Sequence, residues 1–496
     1  MNEVDAVVVG AGPNGLTAAA VFARAGLSVR VLEAADRVGG GARTAELTLP
    51  GFRHDPCSAV HPLGVGSPVF DSIGLARYGL AWLHPELALA HPFPDGSAAV
   101  LARSVADTAS SLGPDEPAYR RLVNPFADRW TDLAGDLLRP LWAGWPAAPR
   151  VIAHFGLRAA VPAALLQQVF RGEKAPALLA GMAAHSMAPL TTPTSSGIGL
   201  LFALAAHAAG WPVPSGGSQA ISDALARAVA AHGGEVVLGN RVATLDELPP
   251  ARAYLLDVSP TALAGIAGQR LPDRFRARLL SYRYGPGVFK LDYALREPVP
   301  WAAPACREAG TVHLAPGFAD IRSALSAAHA GQAPDPPFLI TAQPSIIDPS
   351  RAPDGRHTFW VYAHVPNRWD GDLTEAVERQ IERFAPGFRD VVLARHVSRP
   401  ADIEAGNPNY VGGDIACGSA AGLRLLARPM VTATPYSTPD PAVYLCSSAT
   451  PPGPGVHGMC GYHAARVALR NRFGIQLPLI PQPDAGTAEQ APASPW

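Results

Sequence analysis

The hydrophobic pattern of the chain begins with a mostly apolar run from Val4 to Val9, which is typical of a strand buried in a parallel sheet. Residues Asn14 to Ala25 are mainly small or apolar and predict a helix, which ends at Gly26. Ser28 to Leu32 predict a second strand, and Glu33 follows it directly. The pattern therefore predicts a strand–helix–strand unit at the start of the chain.

In the rest of the chain, the pattern of apolar and polar residues predicts several different kinds of element. Residues Ala90 to Leu101 are apolar on both sides of a Pro-Asp-Gly turn and predict a hairpin. Ser104 to Gly210 are alanine-rich and predict helices, whereas Gly285 to Pro400 alternate apolar and polar residues, as antiparallel strands do. Val443 to Cys446 predict one more strand, followed by a helix. Together these elements predict an α/β fold joined to an α+β part.

Composition narrows the function classes. At 496 residues the chain exceeds the usual size of a single core, so two domains are expected. A net charge of −1 gives no electrostatic basis for nucleic-acid binding. Hydrophobic residues make up 48% and charged residues only 16%, which suits a large apolar pocket. The five cysteines form no CxxC motif, so neither a disulfide centre nor a metal site is expected.

Membrane insertion is not expected from the sequence. The most apolar candidate segment, Ile198 to Gly210, is too short to span a bilayer and contains His207. We interpret it as a buried or pocket-lining helix, with peripheral contact to a membrane surface left open. The first strand begins almost at once and nothing resembles a signal peptide, so we expect a cytoplasmic protein. The oligomeric state stays open.

The turn after the first strand carries the first candidate chemistry. Gly10, Gly12 and Gly15 form a GxGxxG motif between a strand and a helix, with an acid about 20 residues beyond its start. In such a motif the glycines permit a tight turn and close approach of a pyrophosphate, and the helix N-terminus provides N–H groups. The acid, Glu33, accepts hydrogen bonds from a ribose. We expect the flanking residues Pro13, Asn14 and Ala34 to contact the dinucleotide as well.

The segment after Glu33 indicates which dinucleotide is the cofactor. It continues as AADRVGGGART, with Gly40, Gly41 and Arg43 near its end. Here the chain resembles the flavoprotein amine oxidase and phytoene desaturase superfamily, whose members carry a DRxGG-type segment that wraps the pyrophosphate of FAD. The resemblance implies FAD as the cofactor rather than NAD. It also implies phosphate contacts from this segment, although here Gly41 and Ala42 separate the arginine from the glycine pair.

A second GxGxxG follows the last predicted strand, at Gly453, Gly455 and Gly458. A second nucleotide site would need an acid near position 475, and none is present. The resemblance instead implies that this helix N-terminus faces the isoalloxazine ring, with Gly458 and Met459 supplying N–H groups. It also implies that the backbone of Val242 contacts the adenine.

The motifs PGFRHD, GWPVPSGGS, GPGVFKLDYAL and VHGMCGYHAA narrow the resemblance to phytoene dehydrogenase-related proteins, in the branch named for pyridine nucleotide-disulfide oxidoreductase domain-containing protein 2. This implies a Rossmann-like FAD-binding domain interleaved with a substrate domain of helices and a mixed or antiparallel sheet. We predict the FAD domain from residues 1–65, 211–284 and 410–475, and the substrate domain from 66–210 and 285–409. Residues 476–496, rich in Pro, Ala and Gln, predict a flexible tail.

Four side chains are candidates for catalysis. The segment GPGVFKLDYAL resembles the amine oxidase strand whose lysine holds a water near flavin N5, which makes Lys290 the first candidate. His61 follows the first flavin segment, and His457 and Tyr462 flank the glycines of the second motif. Each of the four also has a structural interpretation, as an ordinary strand lysine or as a packing residue.

The resemblance implies an FAD-dependent oxidoreductase of the phytoene dehydrogenase type. We expect dehydrogenation of an apolar polyene, isoprenoid or acyl-chain substrate by hydride transfer to the flavin, with oxygen or a quinone as electron acceptor. Two alternatives stay open at this point. One is a redox-neutral double-bond isomerase, and the other is a binding protein with a structural flavin.

Overall fold

The computed structural model describes residues 3–140, 143–425 and 427–482. Its strands are numbered here in chain order: β1 (Val4–Val9), β2 (Val29–Leu32), β3 (Ala45–Glu46), β4 (Arg53–His54), β5 (Trp82–Leu83), β6 (Leu87–Pro92), β7 (Ala98–Leu101), β8 (Val213–Pro214), β9 (Glu235–Val237), β10 (Ala251–Leu256), β11 (Gly287–Leu295), β12 (Ala309–Leu314), β13 (Leu339–Ala342), β14 (His357–Val365), β15 (Val392–Ser398) and β16 (Val443–Leu445).

The α-helices are numbered in the same way: α1 (Pro13–Arg24), α2 (Pro62–Val65), α3 (Pro68–Ile73), α4 (Val105–Ser111), α5 (Glu116–Ala127), α6 (Trp130–Leu137), α7 (Pro149–Ala159), α8 (Ala163–Leu166), α9 (Lys174–Ala184), α10 (Ser195–Ala208), α11 (Gln219–Ala231), α12 (Pro260–Ala267), α13 (Asp273–Leu280), α14 (Phe318–His329), α15 (Pro344–Ile347), α16 (Thr374–Glu382), α17 (Phe388–Val391), α18 (Pro400–Gly406) and α19 (Met459–Phe473).

A parallel sheet forms the first layer of the fold. Its strands follow the order β16-β10-β1-β2-β9, and each neighbouring pair is parallel. The last four residues of β1 are fully buried, as expected for a strand covered on both faces. Helices α1, α11 and α19 pack together on one face through Phe22, Leu225 and Leu469, among others. The predicted N-terminal strand–helix–strand unit is confirmed.

A larger mixed sheet forms the second layer, in the order β15-β11-β14-β13-β12-β6-β7. Its neighbouring strands are antiparallel except for β6 and β12, which are parallel. Alternation along β11 buries Phe289 and Tyr293 in one core with Phe359 and Phe388. Lys290 lies on the opposite face of β11. The predicted β6–β7 hairpin and the predicted α/β class are both confirmed.

Helices α4 to α10 form a layer over the mixed sheet, in the region where the sequence predicts helices. The apolar helix α10 lies within this layer, and its side chains Leu200 and Leu204 are buried in the same core as Leu178 and Phe126. Among the described residues, no helix is both long enough and apolar enough to cross a bilayer.

The parallel sheet takes its strands from the three segments predicted for the FAD domain, and the mixed sheet takes its strands from the other two. The residue boundaries of the two domains stay a prediction. Part of the predicted tail is packed on the fold, because Tyr462 donates a hydrogen bond to the carbonyl of Pro478 and Ile480 lies against Gly135. Residues 483–496 lie outside the described residues.

Candidate active site

One large cavity, of about 1090 Å³, lies between the parallel sheet, the mixed sheet and the helical layer. It opens at the carboxyl ends of β1, β2 and β10, where Gly10, Glu33 and Asp257 line it. The carboxyl edge of a parallel sheet is where α/β proteins bind ligands. The cavity then continues between α10 and β14, so one space joins this edge of the parallel sheet, which we call the nucleotide-binding edge after its predicted role, to the interior of the second layer.

The glycine turn has the geometry that the sequence predicts. Gly10 has φ +99, a conformation that favours glycine, and a Cβ at Gly12 would lie 2.8 Å from Asp257 Oδ2. A Cβ at Gly15 would overlap the carbonyl oxygen of Gly10, so this glycine allows α1 to pack closely on β1. Gly10, Gly12, Pro13 and Asn14 line the cavity at the N-terminus of α1, which is a site suited to phosphate groups.

Glu33 lines the cavity directly after β2. Its Oε2 accepts a hydrogen bond from the N–H of Ala11 at 2.6 Å, and its Oε1 accepts one from the N–H of Ala35 at 2.9 Å. A carboxylate has about four acceptor positions, so two remain for ribose hydroxyls. Ala34 and Val242 line the same part of the cavity, as predicted for contacts to the adenosine half of a dinucleotide.

The second glycine segment lies beside the first. Gly40 and Gly41 line the cavity, and Gly40 comes close to the backbone of Gly12. Arg43 also lines it: its Nη2 donates to the carbonyl of Gly406 at 2.6 Å, while its buried Nε has no partner in the part of the chain that is described. The unpartnered Nε leaves a donor for a phosphate oxygen.

Three residues predicted to contact the cofactor do not line the cavity. The N–H of Gly15 donates to Asp257 Oδ2 at 2.9 Å. Gly458 packs against Thr17 and Phe70. The N–H of Met459 donates to His457 Nδ1 at 3.1 Å, and its predicted contact with a flavin ring stays a prediction. The loop before α19 lines the cavity through Gly455, Val456 and His457 instead.

The two candidate histidines do line the cavity. His61 Nε2 forms a 2.8 Å hydrogen bond with Ser218 Oγ, and burial lowers the pKa of His61 to about 4. Burial also lowers the pKa of His457 to about 4. Because His457 Nδ1 accepts the N–H of Met459, the neutral ring carries its proton on Nε2. Both side chains are therefore neutral hydrogen-bonding groups, and their catalytic role stays a prediction.

Lys290 is not among the residues that line the cavity. It is buried and forms an ion pair with Asp292, whose other oxygen lies 3.7 Å from His54 Nδ1. The ammonium lies over the Trp360 ring, 5.5 Å from its centroid, and that ring is part of the cavity wall. Lys290 is therefore paired with Asp292 behind the Trp360 wall, and its role in holding a water near a flavin stays a prediction.

Tyr462 does not line the cavity either. It lies on α19 within the core of the parallel sheet, and its hydroxyl donates to the carbonyl of Pro478 at 2.6 Å. This hydrogen bond fixes the start of the C-terminal segment. A structural role, which the sequence left open, accounts for these contacts.

Asp257 is a site residue that the sequence analysis missed. It follows β10, lines the cavity and lies against Gly12 and Gly15. Burial raises its pKa to about 7, the N–H of Gly15 opposes the shift, and Glu33 adds to it. The available signal was its position, since an acid directly after a buried strand lies at the ligand-binding edge of a parallel sheet.

The part of the cavity away from the glycines has apolar walls, and we call it the apolar compartment. Its walls come from the helical layer and the mixed sheet: Phe155, Ile198, Phe202, Trp211, Ile340 and Trp360. Two polar side chains, His185 and Tyr362, reach the same cavity. The arrangement can hold a dinucleotide at the sheet edge and an apolar molecule beside it.

Comparisons with known proteins agree with this architecture. Residues 8–72 match the family model described as an NAD(P)-binding Rossmann-like domain. The chain is 28% identical to rat pyridine nucleotide-disulfide oxidoreductase domain-containing protein 2, over 95% of this chain and 94% of that protein. It is 25% identical to a neurosporene-forming phytoene desaturase of Rhodobacter capsulatus, over 92% of each chain.

Among solved structures, cyclohexylamine oxidase from Brevibacterium oxydans aligns with a TM-score of 0.56 at 17% identity, over 95% of this chain and 99% of that one. An identity this low supports the fold alone. The sequence relatives extend nearly end to end, and they are the proteins that the motifs indicate. The resemblance is therefore confirmed: the chain is a homologue of pyridine nucleotide-disulfide oxidoreductase domain-containing protein 2 and of phytoene desaturase, with the fold of FAD-binding amine oxidase-type oxidoreductases.

Proposed function

We propose that the protein is an FAD-dependent oxidoreductase that dehydrogenates an apolar substrate of the polyene, isoprenoid or acyl-chain type. The observation that carries this proposal is the single cavity that joins the glycine turn and Glu33 to the apolar compartment. A nucleotide-binding protein without a second substrate would have no use for an enclosed apolar space beside the turn. The match to phytoene desaturase supports the same class of substrate.

The residues at the sheet edge fit FAD. The turn is open because Gly12 has no Cβ, Glu33 keeps two free acceptor positions, and Arg43 Nε has no partner among the described residues. Gly12 and the N-terminus of α1 would hold the diphosphate, and Glu33 would hold a ribose. When bound, FAD accepts a hydride equivalent from a C–H bond and passes two electrons on to oxygen or a quinone.

The side chains of the protein would supply enclosure and orientation. The walls of the apolar compartment exclude water, which protects a reduced flavin and strengthens hydrogen bonds inside the site. His61 and His457 are neutral donors or acceptors at the cavity wall rather than charged groups. When a hydride leaves one carbon of the substrate, the neighbouring carbon must lose a proton, and a neutral His61 or His457 would be in a form that can accept that proton or pass it to water.

We also propose that the substrate reaches the site from a membrane surface. Helix α7 has one face in the cavity, through Ile152 and Phe155, and its other face carries Leu157, which is 76% exposed. Arg150 lies in the first turn of the same helix, is exposed and would attract anionic head groups. An apolar helix face with basic neighbours is typical of an interfacial contact.

The cofactor is tested by measuring flavin content after purification. Glu33→Ala should lose FAD, because each hydrogen bond to a charged group is worth about 1.5–3 kcal/mol. Gly12→Val should yield mainly apoprotein, because its side chain fills the turn. Glu235→Ala is the matched control, since this glutamate lies on the neighbouring strand β9 and pairs with Arg30 outside the cavity. Undiminished flavin in both site variants would contradict the assignment.

The reaction is tested by adding polyenes, fatty acyl chains and amines to the oxidised protein without oxygen. A dehydrogenation substrate should bleach the flavin and lose two hydrogens in mass. A product of unchanged mass would favour the isomerase. A protein that keeps its flavin and bleaches with no substrate class would favour a structural flavin.

A further inference from the structure

Two polar side chains interrupt the walls of the apolar compartment. His185 follows α9, and Tyr362 lies on β14 two residues beyond Trp360. Both line the cavity, and they come from different layers of the fold. Their hydrogen-bonding capacity is not used up by the protein, and this leaves groups for a ligand.

His185 has one engaged nitrogen and one open nitrogen. Its Nε2 lies 3.1 Å from His313 Nε2, so one ring donates and the other accepts. The His185 ring packs against Phe202, at 4.9 Å between centroids, and against Trp211, at 6.3 Å, which fixes its orientation. The open Nδ1 is an acceptor if His185 donates to His313, and a donor if the tautomers are reversed. The pair can therefore serve either a hydroxyl or a carbonyl.

Tyr362 offers a hydroxyl that has no hydrogen-bond partner within residues 3–140, 143–425 and 427–482. The side chain is only 5% exposed. Its ring is held by edge-to-face contacts with Trp360 at 5.1 Å and with His364 at 5.4 Å. The hydroxyl lines the cavity, so an apolar ligand that displaced water from this space would leave it unpaired, which is costly. A ligand oxygen would supply the missing partner.

The charge of the cavity indicates which oxygen this is. The carboxylates that line the cavity, Glu33, Asp36 and Asp257, belong to the nucleotide-binding edge rather than to the apolar compartment. Burial lowers the pKa of His185 to about 4 and raises the pKa of Tyr362 above its ordinary value. Both groups are therefore neutral near pH 7. Four arginines also line the cavity: Arg37, Arg43 and Arg241 lie in the segments at the sheet edge, and Arg139, from the helical layer, is paired with Asp136 at 2.8 Å. No charged side chain contributes to the pKa shifts of His185 and Tyr362, so an ammonium or a carboxylate would find no opposite charge beside them.

We propose that the substrate carries a neutral hydroxyl or carbonyl oxygen, which His185 Nδ1 and Tyr362 Oη bind within the apolar compartment. The inference rests on the proposed function and deepens it by naming a substrate class, an apolar chain that bears a neutral oxygen. It makes His185 and Tyr362 specificity-determining residues. A pure hydrocarbon would leave both polar groups unpaired and would bind more weakly.

The test compares four probes of one chain length: octane, 1-octanol, octanal and octylammonium. Their binding to the purified holoprotein is measured by equilibrium dialysis with radiolabelled probes, which does not require flavin reduction. The alcohol and the aldehyde should bind more tightly than the hydrocarbon. Tyr362→Phe and His185→Phe should each reduce that preference by about tenfold, which corresponds to about 1.4 kcal/mol at 25 °C.

Two variants serve as matched controls. Tyr444→Phe removes a hydroxyl that donates to the carbonyl of Pro441 in the parallel sheet. His207→Phe removes a buried histidine of α10 that is bonded to Tyr119 outside the cavity. Both controls should keep the preference of the wild-type protein for oxygen-bearing probes.

Several outcomes would overturn the inference: equal affinity for octane and 1-octanol, tightest binding of octylammonium, no binding of any probe, or an unchanged preference in both site variants. Different results would contradict the proposed function. Loss of flavin, or a flavin that no substrate bleaches, would contradict the oxidoreductase assignment while the probe preference still stood.

Discussion

Asp257 is a buried carboxyl group beside the glycine turn, and replacing it with asparagine should change how stability depends on pH. The carboxyl accepts the N–H of Gly15 at 2.9 Å. Asparagine keeps an oxygen for that hydrogen bond but cannot ionise. The substitution therefore isolates the cost of charging the group in its buried position.

The size and sign of the effect follow from the shifted pKa. Burial, with a smaller contribution from Glu33, raises the pKa of Asp257 from 3.8 to about 7. The folded protein therefore holds a proton that the unfolded chain releases, and stability falls as pH rises through this range. The stabilisation that the protonated Asp257 contributes to the folded state is complete below about pH 4 and is lost above about pH 7. In a measurement from about pH 5 to pH 8, the loss of stability falls mainly between about pH 5 and pH 7. Two pH units at about 1.36 kcal/mol each amount to about 3 kcal/mol.

The assay is urea unfolding of the wild-type protein and of Asp257→Asn at several pH values between 5 and 8. The free energy of unfolding of the wild type should fall by about 3 kcal/mol more than that of the variant over this range. Asp115→Asn is the control, because Asp115 is a buried carboxylate that accepts the N–H groups of Arg171 and Gly172 away from the cavity.

A bound dinucleotide should enlarge the effect, since its diphosphate would place more negative charge beside the carboxyl. We expect FAD to bind the wild-type protein less tightly at pH 8 than at pH 6, and to bind Asp257→Asn with little change. Parallel pH profiles of wild type and variant, in both unfolding and FAD titration, would refute the reasoning.

Three further predictions concern other parts of the molecule. Lys290→Met should destabilise the fold by about 3–5 kcal/mol in urea melts, because Asp292 stays buried without its partner. The double variant Lys290→Met with Asp292→Asn should recover much of that loss. Unchanged stability together with impaired flavin turnover would instead favour a catalytic role for Lys290. Leu157→Asp should weaken sedimentation with anionic vesicles, and neutral vesicles serve as the control. NADH should bleach the flavin slowly in stopped-flow traces, because no second ribose-binding acid follows Gly458; fast saturable reduction would contradict this.

The geometry of the glycine turn and the position of Glu33 beside it could be predicted because their signals are local. The turn, the start of α1 and Glu33 fall within residues 10–33, so backbone geometry alone places them together. Gly10 and Gly12 occupy positions where a side chain would be strained or would clash, which a sequence displays directly as glycine. Asp257 escaped because it reaches the nucleotide-binding edge through β10, more than two hundred residues later.

The pairing of Lys290 with Asp292 was not predicted, for a different reason. The resemblance supplied a role for a lysine on this strand, but the strand also carries an acid two residues on. In a β-strand the side chains of residues i and i+2 lie on the same face, so Lys290 and Asp292 could have been expected to pair. Met459 is a similar case, since His457, two residues earlier, accepts its N–H.

The two halves of the cavity therefore differ in how far a sequence can define them. The nucleotide-binding edge depends on backbone shape, which short motifs encode. The apolar compartment depends on side chains from α7, α10, β13 and β14, whose sequence spacing carries no periodic signal. His185 and His313 are 128 residues apart and meet only because α9 packs on the mixed sheet. Because such pairings arise from the packing of layers, a motif can predict a class of cofactor, while substrate selectivity has to be argued from the assembled cavity.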